Sequence, residues 1–534
     1  MQYQLADLFE SVVDSIPDRE ALVIDPRRLT YAELDARCNQ LAHHLRAAGI
    51  GRGDHVGCHM PNGSEYIETM IACFKIGAVP INVNYRYVEE ELRYLYDNAD
   101  LACLVFDVEF ADLVGAVAPE IDTFRHLIAV GDTDGVELPE GAVGFDDVVA
   151  DQPTTRDGLT EGRTPDDLYM LYTGGTTGMP KGVMWRHEDI FFAGMGGGNP
   201  VGEPVTSPEE LATRINPDFQ ITMFAAPPLM HGAAFLGSFI GFFQGARVVL
   251  IRKYTGHGAL ELIEREGINT LSIVGDAMAL PLIDALDERT YDVSSLGILS
   301  TAGAVMSQAV RDRLALVMPN TYVMDSYGSS ETGFNGSATE DSSTDSGLKF
   351  RVNDRTNVIS DDLQLVPPGS DTVGRVAQTG PIPVGYYNAP EKTAETFVEV
   401  DGRRWVLTGD RATVGEDGVI HFLGRGSVCI NSGGEKIFPE EVEAALKAHP
   451  SISDAIVAGV PDERWGQRVG AVVALRPGIE DSLTIDEVHE HCGTRLARYK
   501  VPRDLLVVDE LVRSPAGKPD YGWAARELAA AADS

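Results

Sequence analysis

With 534 residues, 44% of them hydrophobic and 23% charged, the chain is long enough for roughly two to four packed units with substantial cores. Forty-three Lys and Arg against 81 Asp and Glu give a formal net charge of −38. A field of that sign repels nucleic acid and anionic lipid, so no nucleic-acid partner is expected. The amino-terminal MQYQLADLFESVVDSIPDRE carries acids where a signal peptide needs bases and an apolar run. The most apolar stretch, Ala233 to Phe243, falls short of the ~20 residues that span a bilayer. Six scattered cysteines without a CxxC pair suit reduced thiols. A cytoplasmic protein without stable membrane insertion is expected.

In chain order, Thr30 and Glu33 form a capping-box pattern before a helix. That helix has Leu34, Cys38, Leu41 and Leu45 on one face and Gly49 as its stop. His55–Cys58 reads as a strand, Glu65–Ile76 as a helix ended by Gly77, and Ala78–Val83 as the next strand. Ala102–Phe106, His126–Val130, Val248–Ile251, Thr270–Val274 and Leu296–Ser300 read as further buried strands between helical stretches. Such alternation implies α/β architecture, with sheets covered by helices. Asp341 to Asp362 is polar and without period, and reads as a long loop. Past Arg425 the texture changes. Pro439 and the following acids open a helix, Ala455–Gly459, Val469–Leu475 and Leu505–Val508 read as strands, and Ile485–Leu496 as a helix. This predicts a large amino-terminal domain of several subdomains over 1–424 and a small α+β domain over 425–534. The cluster His489-Glu490-His491-Cys492 falls in that last helix, where adjacent residues point to different faces, which argues against a metal site.

The run Tyr172-Thr173-Gly174-Gly175-Thr176-Thr177-Gly178-Met179-Pro180-Lys181-Gly182 has the makings of an anion-binding loop. Glycines let backbone N–H groups turn towards a phosphate, hydroxyls add donors, and Lys181 adds a point charge. It is no Walker A loop, since Met179-Pro180 separates Gly178 from Lys181 and no Ser or Thr follows the lysine.

This run resembles the signature loop of the adenylate-forming superfamily, which includes acyl-CoA synthetases, adenylation domains of peptide synthetases and firefly-type luciferases. Further motifs follow in the family's order, so the resemblance covers nearly the whole chain. Tyr327-Gly328-Ser329-Ser330-Glu331-Thr332, preceded by Ser326, matches the segment whose glutamate helps hold the Mg²⁺ of MgATP and whose aromatic residue lies by the adenine. Gly303-Ala304 occupies the nucleotide and acyl-pocket strand. Asp410 of Thr408-Gly409-Asp410 and Arg425 match the ribose contacts. Ser432-Gly433-Gly434-Glu435 matches the hairpin lining a coenzyme A tunnel. The resemblance implies that the small α+β domain is mobile, and Ser427 stands where relatives carry an acidic or lysine hinge residue, a departure that touches domain rotation. Lys518, in Arg513-Ser514-Pro515-Ala516-Gly517-Lys518, matches the catalytic lysine. The resemblance places Met230, His231 and Phe235 at the acyl pocket, with His231 as a lining or gate residue; a core position for Met230 and Phe235, and a packed structural His231, are the alternatives. The resemblance therefore implies Lys518, Glu331 and Thr176 as the catalytic set. Thr173–Gly178, Lys181, Gly303, Ala304, Ser326–Ser330, Asp410, Arg425 and Lys518 are implied around ATP and AMP.

The implied activity is that of an acid:CoA ligase: ATP activates a carboxylic acid as an acyl-adenylate, and coenzyme A receives the acyl group. An amino-acid-activating enzyme is disfavoured, because Gly232 stands where the ammonium-binding Asp would fall. A luciferase-type oxidase shares these motifs, and oxygen consumption separates it; a synthetase using another acceptor is a further alternative. Gly174-Gly175, Met184-Trp185-Arg186-His187-Glu188-Asp189 and Gly424–Asn431 resemble the actinobacterial group that activates steroid side-chain acids. A bulky polycyclic or terpenoid acid is thus the first expectation, and a medium- or long-chain fatty acid the second. The partners expected are the small-molecule acid, ATP with Mg²⁺, and coenzyme A, with a homodimer allowed.

Overall fold

The computed structural model describes residues 1–173, 179–303, 306, 308–337, 349–351, 355–425, 428–432, 435–462, 466–479, 483–496, 498–513 and 519–532. Among them lie two eight-stranded sheets, a six-stranded sheet and a five-stranded carboxy-terminal sheet.

The first eight-stranded sheet has a parallel centre built from Thr222–Ala225, Arg247–Val249, Thr270–Ile273, Ile298–Thr301 and Tyr322–Ser329. The second is centred on Val79–Asn82, His55–His59, Leu101–Asp107 and His126–Val130, also parallel. Its other flank is the antiparallel pair Leu168–Thr173 and Lys181–Arg186. Between the two sheets runs one shared hydrophobic core. It takes in the helices Leu5–Ser15, Tyr31–Ala47, Ser64–Ile76, His187–Gly194 and Gly232–Phe243 together with strands of both sheets. A separate core covers the outer face of each sheet. Parallel strands buried on both faces read as near-continuous apolar runs, and Leu101–Asp107 is buried at every position.

The local signals explain the helix ends. Thr30 and Glu33 form a reciprocal capping box at Tyr31–Ala47, and Gly77 ends Ser64–Ile76 in the left-handed conformation at φ 69°. The helix Gly232–Phe243 contains the most apolar stretch, and no helix of the described residues is long and apolar enough to cross a membrane.

The expected loop over 341–362 is corrected in part. Lys349–Arg351 and Thr356–Ile359 are strands of the six-stranded sheet, paired with Val419–Arg425 and Ser370–Thr379. Strands of three or four residues are too short to show alternation, and their pairing comes from partners more than ten residues away. In the small domain, helices Pro439–Lys447 and Ile485–Gly493 pack on one face of the five-stranded sheet, and Tyr521–Ala532 packs on the other. The six-stranded sheet runs through Arg425, which pairs with Asp410.

Candidate active site

The anion-loop motif joins two strands. Leu168–Thr173 runs antiparallel to Lys181–Arg186, with Thr173 opposite Lys181. Gly174, Gly175, Thr176, Thr177 and Gly178 lie outside the described residues, while Thr173 and Lys181 mark the loop's two ends. Behind it, Asn82 ends a central parallel strand and is buried. Its Nδ2 donates to the Tyr172 and Met230 carbonyls at 2.9 and 2.7 Å, and its Oδ1 accepts from the Tyr172 N–H at 2.7 Å. Asn62 pins the neighbouring segment in the same way, donating to Pro227 and Ile251 carbonyls and accepting from Leu229 N–H at 2.7 Å. A buried amide that makes three hydrogen bonds fixes backbone geometry, because leaving any of them unmade is costly. Sequence reasoning missed both asparagines. The available signal was a polar residue at or just past the carboxyl end of a strand in a parallel sheet, where ligand crevices open.

Met230 and His231 therefore stand beside the root of the anion loop, and His231 is the residue before the helix Gly232–Phe243. Phe235 is a different case. It is buried among aromatic rings, 4.8 Å from Tyr169 and 4.7 Å from Phe239 between centroids. Phe235 takes part in the shared hydrophobic core.

The strand Tyr322–Ser329 carries the second motif. Gly328 packs so closely on the returning strand that a Cβ would meet the Gly333 carbonyl oxygen at 2.0 Å, so glycine is required there. Ser326 Oγ lies 3.3 Å from Ser300 Oγ on the adjacent strand. Just beyond that strand, Gly303 adopts a left-handed φ of 81°, and Ala304 falls outside the described residues. The Tyr327 hydroxyl donates to Asp410 at 2.6 Å, and its ring meets Phe422 edge-on at 5.3 Å. The residues implied for adenine and ribose are thus joined across 83 positions of sequence.

After Ser329 the chain turns tightly. Ser329 N–H donates to Thr332 Oγ1, and Glu331 N–H to Ser329 Oγ. From outside the motif, Trp185 Nε1 donates to the Ser330 carbonyl at 2.9 Å, and the Tyr386 hydroxyl donates to Glu331 Oε1 at 2.9 Å. Burial, then the Glu331 carboxylate, push the Tyr386 phenol above its ordinary range, so it stays a donor. Neither Trp185 nor Tyr386 was expected in the site. Glu331 Oε2 makes no hydrogen bond among the described residues. A carboxylate oxygen left available in this way suits a hard divalent cation.

In the small domain, Ser432 pairs with Glu435 across the hairpin of Ile430–Ser432 and Glu435–Ile437. Gly433, Gly434 and the hinge position Ser427 lie outside the described residues, as does Lys518. Flanking Lys518, Arg513 and Pro519 form a β-bridge. His489 and His491 each have Nε2 on a backbone carbonyl, of Pro502 and Ala445.

The fold and these motifs define a class. The AMP-binding enzyme family matches residues 9–387 and the AMP-binding enzyme C-terminal domain matches 441–518. The chain belongs to the AMP-binding enzyme family. It is similar to a 3-oxocholest-4-en-26-oate–CoA ligase of Rhodococcus rhodochrous, 44% identical, covering 98% of this chain and 96% of that protein. A medium/long-chain-fatty-acid–CoA/3-oxocholest-4-en-26-oate–CoA ligase of Mycobacterium marinum is likewise 44% identical, with the same coverage. Among solved structures, the anthranilate CoA ligase AuaEII in complex with anthranoyl-AMP aligns over 100% of this chain and 99% of that one. Its TM-score is 0.84 at 23% identity, a likeness of fold.

Proposed function

We propose that this protein is an AMP-forming acid:CoA ligase whose preferred acid is a bulky polycyclic, steroid-like carboxylic acid. The observation that carries the reading is the meeting of three motifs at one place. The strand leaving the anion loop is joined to the Glu331 turn through Trp185 and Tyr386, and Tyr327, just before that turn, bonds Asp410. End-to-end identity of 44% to ligases named for a steroid acid supports the substrate class.

In the first step a carboxylate oxygen attacks the α-phosphorus of ATP, a P–O bond forms, and pyrophosphate leaves. The loop of Thr173–Gly178 with Lys181 holds the phosphates, Asp410 and Arg425 hold the ribose, and Tyr327 borders the base. Gly303, Ala304, Ser326, Gly328, Ser329 and Ser330 complete the nucleotide's surroundings. Mg²⁺ bound to Glu331 would neutralise charge on the phosphates. Lys518 places a cation between two anions that repel as they approach, a favourable electrostatic contribution to the transition state. In the second step the small domain, turning at Ser427, withdraws Lys518. It presents the hairpin of Ser432, Gly433, Gly434 and Glu435, and the coenzyme A thiol attacks the acyl carbon, expelling AMP. The free, largely buried cysteines support a reducing, cytoplasmic setting.

A second reading, a medium- or long-chain fatty acid, is favoured by the names of the mycobacterial relatives. Mass spectrometry of reactions with ATP, Mg²⁺, coenzyme A and a panel of steroid, diterpenoid, fatty and aryl acids separates the two. Steroid acyl-CoA as the main product supports the first reading, and fatty acyl-CoA alone supports the second. Acyl-AMP without any acyl-CoA contradicts the ligase.

A further inference from the structure

We infer that Tyr386 is a positioning residue for the cation site: its hydroxyl fixes one oxygen of Glu331 so that the other is presented to the metal of MgATP. This rests on the reading of Glu331 as the metal ligand.

A glutamate on a tight turn has three side-chain rotations to lose before its carboxylate can serve as a fixed ligand. The turn's own hydrogen bonds fix the backbone, since Ser329 and Thr332 bond each other and Glu331 N–H reaches Ser329 Oγ. They do nothing for the carboxylate. The Tyr386 hydroxyl at 2.9 Å supplies that restraint, and it is the one hydrogen bond to the carboxylate among the described residues.

Tyr386 is itself held on three sides. Its N–H donates to Thr393 Oγ1 at 3.0 Å, and its ring meets Phe397 edge-on at 5.8 Å. Its backbone pairs with Val183, two residues beyond Lys181 on the strand that leaves the anion loop. Trp185 on that same strand holds the Ser330 carbonyl at 2.9 Å. Glu331 is therefore anchored to the strand that carries the phosphate-binding lysine, although 150 positions of sequence separate Lys181 from Glu331. A cation held between phosphate oxygens and Glu331 would have its protein ligand tied to the strand that carries Lys181. Preorganisation of that kind strengthens binding by removing the cost of ordering the ligand groups.

The test is metal affinity in the full chain. Mn²⁺ binding is followed by electron paramagnetic resonance, with a nonhydrolysable ATP analogue present, in wild type, Tyr386→Phe, Glu331→Gln and the double variant. Phenylalanine keeps the ring against Phe397, and thermal melting checks that the fold is intact. A hydrogen bond to a charged group is expected to be worth about tenfold here. Tyr386→Phe should weaken Mn²⁺ about tenfold while leaving affinity for the metal-free analogue within about twofold. The double variant should bind Mn²⁺ no more weakly than Glu331→Gln alone, because both changes act through one carboxylate. Unchanged Mn²⁺ affinity in Tyr386→Phe, with a loss in Glu331→Gln, overturns the positioning role. Unchanged affinity in both variants overturns the assignment of Glu331 itself, and the inference with it.

Discussion

Two polar clusters in this protein, each holding a glutamate, end in opposite conditions. In the helical layer, Lys75 is fully buried and meets Glu10 and, at 2.7 Å, Asp35. Arg163 closes on Glu10 and Asp7, and Arg156 on Asp35 and Asp14. Burial alone would raise the Glu10 carboxyl, but Lys75 and Arg163 outweigh it and hold the group down at about 2. Each carboxylate here meets at least one cation. At the candidate site, Glu331 accepts one hydroxyl and keeps an oxygen in reserve. A cluster whose valences close internally specifies a fold, and one that leaves a valence open specifies a ligand.

The largest expected effect breaks the closed cluster. Lys75→Met leaves two carboxylates buried without their cation and should cost about 3–5 kcal/mol of stability, measured by urea unfolding. Mn²⁺ affinity of the protein that remains folded should not change. Next comes the open cluster's chemistry. Lys518→Ala should lower the rate of acyl-AMP formation by about 10²–10³ and spare transfer from supplied acyl-AMP to coenzyme A. Equal loss in both half-reactions would remove Lys518 from the first step.

A pH series sharpens the contrast. The folded Glu10 carboxyl lies at about 2, below its ordinary value, so the unfolded chain binds the extra proton. Its contribution is fully present above about pH 4.5 and is lost as pH falls towards 2, on the order of 3 kcal/mol. Glu68 works with the opposite sign: desolvation, opposed by Arg37, leaves its carboxyl raised. The difference between wild type and Glu10→Gln cancels the Glu68 contribution and should shrink steadily through that window. A flat difference would mean that Lys75 and Arg163 do not hold Glu10 in its charged form. The smallest effect is at the join between the two strands of the site. Trp185→Phe removes the bond to the Ser330 carbonyl and should cost on the order of 1–2 kcal/mol in thermal unfolding.

The same contrast explains what could be read from sequence. Helix ends were legible because Thr30, Glu33 and Gly77 act within a few residues of themselves. The parallel strands were legible as apolar runs. Of the proposed site, the Thr173–Lys181 segment, Glu331 and Asp410 were read because each belongs to a contiguous motif. Tyr386, Asn62, Asn82 and Trp185 were not read as site residues, since each acts through long-range hydrogen bonds with no local pattern. Phe235 could not be placed from sequence for the converse reason: an apolar residue near a motif looks the same whether it lines a pocket or fills a core.

The central claim is that a carboxylate oxygen attacks the α-phosphorus of ATP. Turnover of the best acid from the panel, labelled with ¹⁸O in both carboxylate oxygens, tests it directly. The account predicts one labelled oxygen in the AMP and one retained in the acyl-CoA. ADP with the label in inorganic phosphate, or unlabelled AMP with the label in pyrophosphate, would mean attack at the γ- or β-phosphorus and would contradict the acyl-adenylate.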